Sequence, residues 1–274
     1  MDFSIAFLPN NKSILPLLDG AIGLVETMFP ERIRAYYLTG SFAEGTAVSN
    51  SDLDMIIVFK GEFLEGEADK LRQLRHHATK LSPYRLDLTP KCEADLLSKG
   101  ATGLKLAGKF LYGEDIRKQI PFEPIEQYRQ DVLRGWQIYQ REIRGDVETV
   151  PYPVQPPDPD GEFLGYEAFG NWQGGDRFEP GTRVLINLTT IGATASLTVL
   201  HEERAGSKWQ AIEKYQQLID DEWGEWLAEL YQLAKVQCGY AIPEDKDLRE
   251  KLKGLIQRTP EYENVMVRRL KLSE

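Results

Sequence analysis

The sequence predicts an α+β protein, with a small sheet and flanking helices in the first part of the chain and helices in the rest. Two observations support this fold class. Strand-like and helix-like stretches alternate through the first 122 residues, whereas the periodic stretches after residue 123 all have helical spacing. The chain has 274 residues, which is enough for one large domain or two modest ones.

Short apolar stretches predict three strands in the first part, at residues 34–39, 55–59 and 84–89. Apolar side chains at helical spacing predict a helix over residues 12–29, which Pro16 interrupts early. A second helix is predicted over residues 67–80, and its strongly polar composition indicates that it lies on the surface.

The second part contains five segments with helical spacing, at residues 123–144, 184–200, 211–233, 248–256 and 262–270. The last two segments are interpreted as one or two closing helices. Residues 184–200 carry no charge but are short for a membrane span, so they predict a buried central helix.

A connection rich in proline and glycine occupies residues 145–182. A loop of this length in a compact chain is usually functional or mobile. Its aromatic side chains either close it over a ligand as a lid or anchor it to the body of the protein; they are Phe163, Tyr166, Phe169 and Trp172. The sequence leaves both interpretations open.

The chain carries 33 Lys and Arg against 43 Asp and Glu, a formal net charge of −10. A negative surface disfavours nucleic acid as a partner and instead concentrates small cations. No stretch approaches 18 consecutive apolar residues, and the N-terminus lacks a secretory pattern. Cys92 and Cys238 have no ligand-like spacing, so we expect a cytoplasmic protein without a membrane partner.

The stretch that carries chemistry lies between the first two predicted strands. Gly40-Ser41 follows the first strand, and Asp52 and Asp54 enter the second. Since side chains alternate along a strand, both aspartates project to one face while Leu53 points into the fold. Two neighbouring carboxylates repel each other, and a divalent cation such as Mg²⁺ relieves that repulsion. The alternative is a hairpin whose loop end happens to be acidic.

Asp87 lies at the centre of the third predicted strand. It either adds a third carboxylate to the metal site or is a solvent-facing residue paired with Arg85, and Glu93 is a second candidate for the third acid. His76 and His77 are adjacent on a predicted helix, so their side chains diverge by about 100° and cannot easily share one metal ion.

A second candidate site lies before the helix predicted over residues 211–233. Gly206-Ser207 offers a turn and a helix cap, and Lys208 follows at the start of the helix. A lysine there opposes the helix macrodipole, and a bound anion such as triphosphate would offset that cost. The alternative is an ordinary exposed lysine.

These motifs resemble the nucleotidyltransferase superfamily that includes DNA polymerase beta and the antibiotic adenylyltransferases. Within it, the chain is most similar to the aminoglycoside adenylyltransferases of the streptomycin/spectinomycin 3''-type. The motifs that carry the resemblance are Gly40-Ser41, Ser51-Asp52-Leu53-Asp54, Leu86-Asp87-Leu88, Leu111-Tyr112-Gly113 and Ser207-Lys208. Gly113 is interpreted as a turn or as a helix stop. Asp87 stands where the family commonly has glutamate, and the helix before Ser207 has no arginine between Arg183 and Arg204.

The resemblance implies an N-terminal catalytic domain with a short mixed sheet over residues 1–122. It implies a helical-bundle domain over residues 123–274, with ATP bound between the two domains. Asp52 and Asp54 would hold Mg²⁺, and Asp87 would complete the metal site or take the proton from an acceptor hydroxyl.

The same resemblance assigns the remaining candidate residues to ATP. Gly40, Ser41 and Ser51 would contact phosphate oxygens, and Lys208 would neutralise phosphate charge.

Charge and resemblance together predict a Mg²⁺-dependent adenylyltransferase that moves AMP from ATP to a hydroxyl of a small cationic acceptor. An aminoglycoside is one such acceptor, which would make the protein an antibiotic-resistance enzyme. ATP and the acceptor are the expected partners of a monomer or weak oligomer. Two alternatives stay open: a nucleotidyltransferase with a protein or RNA acceptor, as in toxin–antitoxin modules, and a non-catalytic nucleotide-binding protein.

Overall fold

The computed structural model describes residues 3–145, 150–167, 171–172, 174 and 177–270. The chain divides into two compact units, one formed by Met1–Glu123 with Gly174–Arg177 and the other by Pro124–Gln173 with Phe178–Glu274. The first unit contains a sheet with flanking helices and the second is mostly helical, which confirms the predicted α+β class.

In the described part of the first unit, four strands form one mixed sheet; they are β1 (Ile33–Thr39), β2 (Leu53–Phe59), β3 (Leu86–Cys92) and β4 (Lys109–Gly113). The order across the sheet is β3-β2-β1-β4. β2 and β3 are parallel, whereas β1 is antiparallel to both β2 and β4. The three predicted strands are confirmed. Gly113 neither forms a turn nor stops a helix, because it pairs with Ala35 as the last residue of β4.

The described helices of the first unit are α1 (Leu15–Met28), α2 (Gly40–Glu44), α3 (Glu67–Leu81), α4 (Glu93–Lys99) and α5 (Thr102–Ala107). Pro16 does not interrupt α1. It lies in the first turn, where the missing N–H of proline is not needed. Gly40-Ser41 begins the short helix α2 rather than forming a simple turn.

The core of the first unit covers both faces of β1. Tyr36 and Leu38 belong to the apolar cluster that includes α1, and Tyr37 belongs to a second cluster with Leu96 of α4 and Leu104 of α5. Since β1 is buried on both sides, its position is fixed by packing. Gly40 and Ser41, which directly follow β1, are therefore attached to a rigid strand.

The described helices of the second unit are α6 (Ile125–Arg144), α7 (Arg183–His201), α8 (Lys208–Leu218), α9 (Trp223–Tyr231), α10 (Lys246–Gln257) and α11 (Thr259–Leu270). A two-stranded ribbon is formed by β5 (Asn171–Trp172) and β6 (Phe178–Glu179), and a π-helical segment, Gln232–Gln237, continues α9. The closing segment is therefore two helices.

The prediction of one continuous helix over residues 211–233 is wrong, because α8 ends at Leu218 and α9 starts at Trp223. Asp221 lies in the interruption. Its carboxylate accepts a hydrogen bond from the Trp223 backbone N–H at 2.9 Å and from the Tyr215 hydroxyl at 2.9 Å. An aspartate that bonds to nearby backbone groups competes with helical hydrogen bonding, and this explains the break.

The predicted buried central helix is confirmed as α7, which packs against α6, α8 and α11. Among the described helices, α7 alone is long and apolar enough to cross a membrane by length and composition. Within its most apolar window, 67% of the helix is buried inside the protein. The core helices of soluble proteins have the same character.

The described part of the 145–182 connection is anchored by its aromatic side chains. Phe163 and Tyr166 are fully buried, while Trp172 is half-buried and Phe169 lies outside the described residues. The hydroxyl of Tyr166 donates a hydrogen bond to Glu263 of α11. For Phe163 and Tyr166 the structure therefore favours the anchor over the lid.

Glu263 is the centre of a buried polar network. Its carboxylate accepts two hydrogen bonds from Arg144, at 2.7 and 3.0 Å, and one from the Gln140 side chain at 2.5 Å. Burial alone lowers the pKa of Arg144, but the charge and hydrogen bonds of Glu263 outweigh it, so the net pKa is raised. Burial and the Glu263 charge also raise the pKa of Tyr166, which therefore keeps its donor proton.

Glu263→Gln should destabilise the protein by about 3–5 kcal/mol, because it leaves the buried Arg144 guanidinium without its counter-charge. The matched control is Glu222→Gln, since Glu222 is paired with Arg258 but its side chain is 70% exposed. We expect the control to cost less than about 1 kcal/mol. Denaturant unfolding followed by circular dichroism compares the two variants, and equal losses would contradict a special role for the buried network.

Candidate active site

Asp52 and Asp54 lie at the start of β2 with the alternation that the sequence predicts. Leu53 and Met55 are buried, whereas the two aspartates are half-buried. Asp52 precedes the strand and Asp54 is its second residue. The two carboxylates therefore project to the same side of the sheet.

The carboxylate of Asp54 lies directly against Gly40. Asp54 pairs with Thr39 across β1 and β2, and Gly40 follows Thr39 with a φ of +64°. A Cβ atom on Gly40 would come within 2.1 Å of Asp54 Oδ2, a distance that no real side chain accepts. Position 40 therefore requires glycine, both for its left-handed backbone and for the approach of the carboxylate.

Asp87 is the direct neighbour of Asp54 in the parallel pairing of β2 and β3. Neighbouring strands are about 4.8 Å apart and paired residues share a face, so the two carboxylates lie side by side. Asp87 Oδ1 accepts hydrogen bonds from Arg75 Nη1 at 2.9 Å and from the Thr89 hydroxyl at 3.2 Å. The alternative pairing of Asp87 with Arg85 is not what the structure contains: Arg85 Nη1 lies 4.0 Å from Asp52 Oδ2.

Ser41 is the second residue of α2, and Ser51 lies near the end of the connection from α2 to β2. Ser51 is buried, and its hydroxyl oxygen accepts a hydrogen bond from the Val48 N–H at 2.9 Å. The carbonyl of Ser41 accepts one from the Thr46 N–H at 2.9 Å. Both serines thus help to fix the shape of this connection.

Glu93, the second candidate for the third acid, lies at the opposite end of the sheet. It follows Cys92, the last residue of β3, and it is six positions after Asp87, at a rise of about 3.3 Å per position. Glu93 pairs with Arg34 at 2.9 Å and accepts a hydrogen bond from the Gly61 N–H at 3.0 Å. It is therefore not part of the group around Asp54.

Within the described ranges, no group of three or more His, Cys, Asp or Glu side chains is arranged to hold a metal ion. His76 and His77 likewise belong to no such group, and their rings touch edge to face with centroids 5.3 Å apart. Mg²⁺ does not need an all-protein cage, because it is commonly held by one or two carboxylates together with substrate phosphates. The oxygens of Asp52 and Asp54 fit that donor set.

A cavity of about 260 Å³ lies beside the connection from α2 to β2. Its lining residues are all uncharged; they are Asn10, Asn11, Phe42, Gly45, Ala47, Val48, Ser49 and Tyr84. The rings of Phe42 and Tyr84 meet edge to face at 5.3 Å. Such a lining suits a neutral polar group, whereas a cationic group would need the nearby carboxylates.

Lys208 belongs to the second unit, where it is the first residue of α8. Ser207 caps this helix as predicted, since its hydroxyl oxygen accepts a hydrogen bond from the Gln210 N–H at 3.1 Å. Lys208 is half-buried. The cap fixes the backbone from which its side chain extends.

Arg75 and Thr89 are partners of Asp87 that were not predicted from the sequence. Thr89 lies two residues from Asp87 on the same face of β3, so strand alternation carries a signal for it. Arg75 is on α3, and its contact depends on how α3 packs against β3. That packing has no local sequence signal.

Two comparisons with known proteins find similarity. The family model of the nucleotidyltransferase domain matches residues 19–103. The crystal structure of spectinomycin adenyltransferase AAD(9) from Enterococcus faecialis, with ATP and spectinomycin, superposes with a TM-score of 0.51 at 14% identity. This superposition covers 93% of this chain and 99% of that chain, and it shows that the two proteins share a fold.

A toxin–antitoxin protein solved with AMP-PNP also aligns, with a TM-score of 0.27 at 20% identity over 45% of this chain and 97% of that chain. A sequence comparison with curated proteins finds no match.

The contact between Gly40 and Asp54 can be tested with a pair of glycine substitutions. Gly40 and Gly61 both have a φ of +64°, but a Cβ on Gly61 would meet nothing within 4 Å. Each substitution by alanine should cost about 1–2 kcal/mol for the left-handed backbone. Gly40→Ala should cost more than Gly61→Ala, because it also displaces Asp54.

Denaturant unfolding of both variants, alone and combined with Asp54→Ala, measures the difference. We expect the extra cost of Gly40→Ala to vanish in the Asp54→Ala background. An extra cost that persists there would mean that Gly40 is required for a reason other than Asp54.

Proposed function

We propose that this enzyme transfers AMP from ATP to a hydroxyl of a small, cationic acceptor in a Mg²⁺-dependent reaction. The match of residues 19–103 to the family model of the nucleotidyltransferase domain supports this proposal. The observation that carries the proposal is the position of Asp54. Its carboxylate packs against Gly40, and it pairs with Asp87 on the neighbouring strand. Carboxylate oxygens fixed in this way would suit Mg²⁺, which is commonly held by one or two carboxylates together with substrate phosphates.

In the proposed reaction, the acceptor oxygen attacks the α-phosphorus of ATP and pyrophosphate leaves. Mg²⁺ supplies positive charge and orients the phosphates when it is bound. Asp52 and Asp54 would hold it, and Asp87 would either complete this site or take the proton from the acceptor hydroxyl. Catalysis then comes mainly from positioning and from charge neutralisation.

The remaining candidate residues bind ATP in this proposal. Gly40 and Ser41 offer backbone N–H groups at the start of α2. The Ser51 hydroxyl accepts from Val48 and still has its own proton to donate to a phosphate oxygen. Lys208, at the capped start of α8, neutralises the charge of the β- and γ-phosphates.

The acceptor is proposed to be a hydroxylated cation of the aminoglycoside class. Adenylylation of such an acceptor would confer antibiotic resistance. The net charge of −10 supports a cationic substrate. The protein with the shared fold was solved with ATP and spectinomycin. A cytoplasmic location would supply ATP, and it agrees with the free thiols of Cys92 and Cys238.

Asp54→Asn should lower Mg²⁺-dependent pyrophosphate release roughly a hundredfold or more, because it removes a charge at the phosphates. The assay uses ATP with a panel of aminoglycosides, spectinomycin, small hydroxylated metabolites and RNA. Chelation with EDTA should abolish release, and added Mg²⁺ should restore it. The matched control is Asp69→Asn, since Asp69 is exposed and paired with Arg72.

Full activity of Asp54→Asn would exclude the two-carboxylate site. Release that requires RNA would instead favour the RNA-acceptor alternative, and wild-type protein inactive with every acceptor would favour a non-catalytic role.

Lys208→Ala should raise the KM for ATP about tenfold, as expected for one charge-assisted hydrogen bond to phosphate. The KM for the acceptor should stay within about twofold of the wild-type value. Lys246→Ala is the matched control. Like Lys208, Lys246 is the first residue of a helix with a side-chain cap, which is Asp245 in this case. Steady-state kinetics measures both KM values in the two variants and the wild type. An unchanged KM for ATP in Lys208→Ala would make Lys208 an ordinary surface residue.

A further inference from the structure

We propose that Arg75 is a positioning residue for the same reaction, and that it acts by fixing the carboxylate of Asp87. This inference rests on the proposed function. Arg75 Nη1 and the Thr89 hydroxyl both donate to a single oxygen of Asp87, Oδ1. The clamp does not use Oδ2, so the orientation of the carboxylate is set while its second oxygen serves the chemistry.

The helix that carries Arg75 is docked onto the strand that carries Asp87. The Thr79 hydroxyl of α3 donates to the Leu86 carbonyl at 3.2 Å and accepts from the Leu86 N–H at 3.3 Å. Leu86 is the residue immediately before Asp87 and the first of β3. Arg75 therefore reaches Asp87 from a helix that is hydrogen-bonded to the neighbouring residue of the strand, Leu86.

The pair between Arg75 and Asp87 is poorly placed to stabilise the fold. Each side chain is 41% exposed, and exposed ion pairs contribute roughly 0–1 kcal/mol. Its value lies instead in charge and orientation. Asp54 and Asp87 are neighbouring carboxylates that repel each other, and Arg75 provides a positive charge on the Asp87 side.

A positioning role makes a different kinetic prediction from direct substrate binding. Since a shift of about 1 Å in a reacting group can cost roughly a hundredfold in rate, loss of the clamp should lower kcat. It should leave the KM for ATP and for the acceptor nearly unchanged, because Arg75 itself contacts neither. A residue that binds phosphate or acceptor would instead raise a KM.

The test compares Arg75→Gln, Arg75→Lys and Thr89→Val with the control Arg72→Gln. Arg72 lies on the same helix, in an exposed pair with Asp69. The readout is pyrophosphate release with ATP, Mg²⁺ and the acceptor of the panel that gives the highest rate.

We expect kcat of Arg75→Gln to fall roughly ten- to a hundredfold with each KM within about twofold. Arg75→Lys should recover most of the rate, because only one donor nitrogen makes the contact. Thr89→Val should give a smaller fall in kcat, and Arg72→Gln should match the wild type.

Three outcomes would overturn the inference. The first is wild-type kcat in both Arg75→Gln and Thr89→Val while Asp54→Asn is inactive, which leaves the proposed function intact. The second is a raised KM with unchanged kcat, which makes Arg75 a substrate contact. The third is an inactive wild type, which removes the proposed function as well. If Arg75→Gln does not fold, Arg75→Lys and Thr89→Val carry the test alone.

Discussion

The candidate site depends on the contact between the Asp54 carboxylate and the Gly40 backbone. It requires a residue without Cβ at position 40 and an acid at the second position of β2. It also requires the antiparallel register that sets Thr39 opposite Asp54. That register is held by β1, which is buried on both faces, so the site inherits its precision from the core.

Much of this arrangement was predictable from the sequence, because the signals are local. Alternation alone puts Asp52 and Asp54 on one face, and a serine before a helix predicts the cap at Ser207. What could not be predicted depends on packing between elements distant in the chain. The partner of Asp87 is Arg75, on a helix whose docking decides the contact. The break at Asp221 is a local effect, because its side chain accepts a hydrogen bond from the Trp223 N–H two residues on. It was missed because the helical spacing of apolar residues continues through it.

The second unit must also hold in place a long connection that contains little regular structure. Buried aromatic side chains supply the apolar contact, and the charged pair of Arg144 and Glu263 is compensated by hydrogen bonds from Gln140 and Tyr166. A buried ion pair of this kind contributes little net stability but penalises any conformation that separates its members. The described part of the connection is thus tied to one arrangement.

The parallel pairing of β2 and β3 also determines which sequence changes the site can survive. A shift of one residue in β3 would turn Leu86 or Leu88 to the face now occupied by Asp87 and would bury the carboxylate in the core. Single-residue insertions and deletions inside β3 are therefore far more damaging than substitutions. We expect length changes to be tolerated better in the turn between α3 and β3, provided that Thr79 still reaches Leu86 and Tyr84 still packs against Phe42. We therefore expect this fold to accept insertions in its turns, while the strands that hold the acids keep their length.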